Sequence, residues 1–162
     1  MSTMKENIIN TQDISKDDQK KWFQHLKDLL TRDVTALLRC SPEEGLQWID
    51  TQVDLVEVAH IVWETGNIID NTGRRLSFQQ IADRLCQVLH TPKPHNVYAV
   101  YRDAVKRKGV WVEPLTVRYI NLIRAHVVRD PFVINIHLPK LQLHRGAQRP
   151  QGSQTPFNAQ RN

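Results

Sequence analysis

Cysteine is scarce in this chain. Of 162 residues only two are cysteine, Cys40 and Cys86, far apart and without CxxC spacing. That argues against a disulfide framework and predicts two reduced core thiols. Long apolar runs are also missing. Nothing approaches the ~18 residues that a bilayer span requires. Met1–Lys16 is polar and lacks an apolar leader segment. No membrane association is expected, and the cytoplasm is the expected compartment. Catalytic signatures are missing too: there is no GxSxG, no HExxH and no glycine-rich phosphate loop. A nucleophile elbow, a zinc protease helix and a nucleotide cradle each need those residues.

Metal ligands do not converge. His25, His60, His90, His95, His126, His137 and His144 are scattered, and only His90 and His95 fall within five residues of each other, flanking Pro92 and Pro94. A zinc site needs three or four converging ligands. Asp54 and Glu57 lie three apart on one helical stretch, and capping and solvation account for them. The expectation is therefore no enzyme, no metal and no cofactor.

Acidic charge runs short in the second half. Residues 1–90 carry 10 Lys+Arg against 14 Asp+Glu, whereas residues 91–162 carry 12 against 3. The net of +5 therefore conceals a half at −4 and a half at +9. Residues 131–162 supply only +4 of the latter, through Lys140, Arg145, Arg149 and Arg161. The rest belongs to residues 91–130, which carry helical patterning. A basic folded surface suits a polyanion, because each neutralised phosphate releases counterions.

What is present is helical periodicity. A hydrophobic fraction of 40 % suffices for one modest core. Residues 1–14 show no pattern and are predicted disordered. Ser15 is a helix N-cap, with Asp17 and Asp18 in the first turn. Trp22, Leu26, Leu29, Leu30, Val34, Leu37 and Leu38 follow at three- and four-residue steps, and the helix should end near Arg39. Asp50 and Thr51 are two candidate caps for a second helix that is apolar nearly all round from Val53 to Trp63, as a central core helix is. Gly66 ends it. Asn67–Leu76, with its Asn71-Thr72-Gly73 turn, reads as a loop or small two-stranded ribbon. Ser77 and Gln80 make a capping box for a third helix with Phe78, Ile81, Ala82, Leu85 and Leu89 inward. Asn96 caps a fourth, with Val97, Val100, Tyr101, Ala104 and Val105 on its inner face. Glu113-Pro114 opens a fifth, with Leu115, Tyr119, Leu122, Ile123 and His126 or Val127 inward, and Asp130-Pro131 ends it. Phe132–Leu138 alternates like a short strand, and the remainder of 131–162 reads as a basic, mostly disordered tail. The fold expected is all-α: a compact domain of four or five helices over residues 15–130.

Two helices joined by a turn, the second bearing exposed cations, form a helix-turn-helix arrangement. On the fourth helix the apolar stripe leaves Tyr98, Arg102, Asp103, Lys106 and Arg107 outward, with Lys108 at its end. Arg102 and Lys106 are four apart and point the same way. A tyrosine hydroxyl commonly donates to phosphate. Arg74 and Arg75, after the Asn71–Gly73 turn, would reach backbone phosphates if that turn acts as a wing.

Trp48, Thr51, Asp54-Leu55-Val56-Glu57-Val58, Gly66, Asn71, Gly73, Phe78, Ile81-Ala82, Leu85, Tyr98, Tyr101 and Arg107-Lys108 together resemble the C-terminal domain of the RteC family. These are regulators carried by conjugative transposons of Bacteroidetes. The resemblance covers residues 44–128. It implies a helical domain with a winged-helix-like unit that binds double-stranded DNA and controls excision and transfer genes. Carried over by position, Tyr98, Arg102, Lys106, Arg107 and Lys108 are the residues it implicates. The chain departs from the family at Gly109-Val110-Trp111-Val112, where the family is basic, and a single helix precedes the match. The alternative expectation is a protein-interaction module that pairs with itself or with a related regulator, through Trp22, Leu26 and Leu37 of the first helix.

Overall fold

A computed structural model describes residues 15–107 and 113–139. The chain is all-α in class, with five helices among the described residues: α1 (Lys16–Leu38), α2 (Gln52–Thr65), α3 (Phe78–Val88), α4 (Val97–Arg107) and α5 (Leu115–Arg124). None of them is long and apolar enough to cross a membrane.

The helix starts follow the side-chain chemistry at their caps. Ser15 Oγ accepts the Asp18 N–H, Thr51 Oγ1 accepts the Asp54 N–H, and Ser77 and Gln80 exchange both bonds of a capping box. Each satisfies amide donors that the first helical turn leaves open. α5 has no such help, since Pro114 at its N-cap makes no side-chain bond. Glu57 of α2 supplies the missing acceptor: its Oε2 lies 3.4 Å from the Leu115 amide.

α2 is the hub. It packs on α1, α3, α4 and α5, and it buries Leu55, Val56, Val58, Ala59, Ile61 and Val62 in one contiguous core. That explains why its sequence is apolar nearly all round. Gly66 ends it with a left-handed φ of +70°. Two other helices end on left-handed histidines, His90 after α3 and His126 after α5, at φ +55° and +57°. At His126 the Val127 amide reaches the Leu122 carbonyl and the His126 amide reaches Ile123, the paired bonds of a Schellman motif. α5 therefore stops at Arg124, short of the expected Asp130, and His126 and Val127 are exposed where an inward position was expected.

The packed domain continues past residue 130 to residue 139. Phe132 is fully buried, its ring 5.4 Å from that of Trp48. Strand β1 (Gln47–Trp48) pairs antiparallel with β2 (Ile136–His137), Trp48 opposite Ile136. The alternation from Phe132 to Leu138 thus contains a strand of two residues, preceded by a 3-10 turn at Val133–Asn135. The expected disorder of residues 1–14 and 140–162 lies outside the described residues.

Cys86 is buried and Cys40 half-buried, and both are free thiols. Burial pushes the Cys86 thiol up to about 11, which keeps it protonated and unreactive near neutrality.

Candidate nucleic-acid interface

α3 and α4 form the expected helix pair. The connection through residues 89–96 is fixed at several points. Lys93 pairs with Asp83 at 3.4 Å, the Gln52 side chain donates to the Pro92 carbonyl, and Pro94 is buried. Asn96 Oδ1 then accepts the amides of Tyr98 and Ala99, both at 3.1 Å, and α4 begins. Its inner face is Val97 and Ala104, buried, with Val100 and Tyr101 partly covered. Val105 is 57 % exposed, contrary to the expected inward position. Val105 is one residue past Ala104, about 100° further round the helix, and so falls beside the buried stripe.

An aromatic stack braces α4 from behind. The His60 ring of α2 lies flat on Tyr101, with 3.7 Å between centroids and planes 10° apart. Phe78, the first residue of α3, meets His60, Tyr101 and Tyr98 edge-on and stacks on Trp63. The starts of α3 and α4 and the middle and end of α2 therefore share one set of rings. Burial lowers the His60 pKa, against the pull of the Glu64 carboxylate 3.4 Å away. His60 is thus neutral near pH 7 and suits an apolar stack. Burial, followed by the charges of Glu64 and Glu57, raises the Tyr101 phenol. No single residue type announces this stack in the sequence. His60, a histidine inside an apolar helix, was the available signal.

On the outer face Tyr98 is 52 % exposed, its ring 5.2 Å from Phe78. Arg102 and Lys106 are exposed one turn apart, with Asp103 exposed beside them. Arg107 is the last residue of α4, and Lys108 lies outside the described residues. Tyr98 and Lys106 sit roughly 12 Å apart along the helix axis, at 1.5 Å per residue.

Arg74 and Arg75 stand on a small ribbon between α2 and α3, where Ile69 bridges Arg75. Asp70 organises the turn. Its Oδ1 accepts from the Thr72 hydroxyl and from the amides of Thr72 and Arg74, and these bonds hold its carboxyl below the usual range. Both arginines are exposed, but Arg75 is committed to the fold. Its guanidinium packs on Gly66, where a Cβ would come within 2.8 Å of Nη2. That places a cation at the C-terminal end of α2, which the helix dipole favours. The ribbon precedes the helix pair, and among the described residues no strand pair follows α4.

The two carboxylates expected to be solvated are buried. Asp54 is 3 % exposed and bonds Arg118 of α5 at 2.7 Å, with Asp50 3.8 Å from the same guanidinium. Burial works to lower the Arg118 pKa, but the bond to Asp54 and the charges of Asp54 and Asp50 outweigh it, so the group stays cationic. Together with Glu57, this pair fastens α5 to α2. No group of three or more His, Cys, Asp or Glu among the described residues is placed to hold a metal ion.

No protein-family model matches this chain, and no curated protein or solved structure matches it.

Proposed function

We propose that this chain is a DNA-binding transcriptional regulator of the RteC kind, acting on genes of a mobile element and contacting double-stranded DNA through the outer face of α4. The observation that carries the reading is the exposed row Tyr98, Arg102 and Lys106 on a helix braced by α3 and by the His60–Tyr101 stack. It lies in the half of the chain whose net charge is +9. The resemblance over residues 44–128 supports the same assignment. Long cations on a rigid helix suit a major groove, since the fold and not the ligand sets their direction. Arg74 adds a phosphate contact from the ribbon, and Arg75 chiefly holds that ribbon against α2.

Fluorescence anisotropy of labelled duplex DNA against salt concentration tests the reading. The expected result is binding at low salt whose logarithm falls linearly with the logarithm of salt, with a slope of about −0.9 for each phosphate neutralised. Absence of binding at low salt, or binding indifferent to salt, overturns it.

A further inference from the structure

We infer that the seam between α1 and α5 is a docking groove for an acidic amphipathic helix of a partner protein. Two depressions, of about 480 and 900 Å³, lie along this seam and share Trp22 as a wall. Their linings are apolar in the middle: Phe23, Val117 and Ile120 in the smaller, Leu29 and Ile123 in the larger. Their edges are basic. Lys16 and Lys20 line the first, Arg32 and Arg129 line the second, and Arg124 sits 5.9 Å over the Trp22 ring between them. Arg32 is taken up within the fold by Asp130 at 3.2 Å and Asp33 at 3.3 Å, so the basic end of the second depression rests on the exposed Arg129.

This pattern selects its occupant. An apolar strip with an aromatic anchor at its centre takes the apolar stripe of a helix laid in the groove. Cations along both ends of that strip favour carboxylates on the flanks of the incoming helix and repel lysines. A phosphate backbone would match the cations but would leave Phe23, Val117 and Leu29 facing nothing apolar. From Lys16 to Arg32 the seam runs roughly 24 Å, the length of about 16 helical residues. The expected partner surface of α1 is thereby revised: Leu26 and Leu37 are core residues, 0 % and 8 % exposed, and Trp22 with Phe23 and Leu29 forms the accessible part. The seam shares no residue with the outer face of α4, so this inference stands independently of DNA binding.

The test uses the full chain and three labelled helical peptides of about 18 residues: a Leu/Glu peptide with leucines on one stripe, the same peptide with Lys for Glu, and the Leu/Glu composition with the stripe scrambled. Anisotropy should show the striped Leu/Glu peptide binding at least about tenfold more tightly than the other two. Lys20→Glu combined with Arg129→Glu should weaken it by about tenfold or more, as should Trp22→Ala. Circular dichroism melts of the same variants verify folding, and their affinity for duplex DNA should be unchanged. The proposal is overturned by equal binding of the Glu and Lys peptides, by no peptide binding to the folded chain, or by loss of DNA affinity in the charge-reversed variant with peptide binding intact. The last would make the seam a nucleic-acid surface. A chain that sediments as a dimer, becomes monomeric with Trp22→Ala and excludes the peptide would assign the groove to a second copy and likewise overturn it.

Discussion

Asp33 and Asp130 both reach Nη2 of Arg32, at 3.3 and 3.2 Å, and that guanidinium is 68 % exposed. One solvated cation cannot neutralise two covered carboxylates. Burial, then the hydrogen bond and charge of Asp130, push Asp33 up from 3.8 to about 7. A carboxyl whose pKa is higher folded than unfolded stabilises the fold fully below its unfolded value and loses that contribution as pH rises through the folded one. The window therefore runs from about pH 4 to about pH 7. Asp33→Asn should flatten the fall of melting temperature between these limits, and equal pH slopes in the two proteins would contradict the account. A second residue-scale prediction concerns Arg118. Replacing it with Ala leaves Asp54 buried without its guanidinium, at a cost of about 3 kcal/mol, the low end for a broken buried pair because Arg118 is itself 34 % exposed. Urea melts measure this, and a loss under about 1 kcal/mol would show that water reaches Asp54. Asp54 and Glu57 were visible in the sequence as polar interruptions of an apolar helix. Their partners, Arg118 and the Leu115 amide, lie about sixty positions away, and periodicity says nothing about contacts at that range.

At the scale of elements, the legible features were those written locally. Ser15, Ser77 and Asn96 cap the helices they were expected to cap, and of the two candidates Asp50 and Thr51 it is Thr51 that caps α2, because an N-cap acts through its own neighbours. The ends after α3 and α5 were less legible. A glycine or asparagine at the left-handed position is the usual signal, and here histidines take it. The β1–β2 pair shows a different limit. Each strand has two residues, and their sequence separation of nearly ninety positions leaves no local trace. Phe132 makes the consequence testable. It is fully buried against Trp48, so Phe132→Ala should destabilise the fold by about 3–5 kcal/mol. A chain ending at residue 130 should melt correspondingly lower. If that truncated chain matched the full one in thermal stability, β2 and Phe132 would be ornamental.

At the scale of the whole molecule, the exposed cations gather on two surfaces that cut across the charge split between residues 1–90 and 91–162, since Lys16, Lys20 and Arg32 of the seam belong to the net-acidic half. α4 carries an exposed cationic face on one helix pair, and the α1–α5 seam carries another, floored with apolar side chains. The first is the surface proposed for DNA, and the second the surface proposed for a partner helix. Arg102 and Lys106 were readable as outward residues because Val97, Val100, Tyr101 and Ala104 of the inner stripe were readable, Val105 excepted. The His60–Tyr101 stack that stiffens the helix was not, since it joins side chains forty residues apart. The measurement that bears most directly on the central claim is the salt dependence of duplex DNA binding for the wild-type chain beside Arg102→Ala/Lys106→Ala. The account predicts weaker binding and a slope of log affinity against log salt shallower by about one for each phosphate-contacting cation removed. Wild-type and doubly substituted chains with the same affinity and the same slope would contradict it.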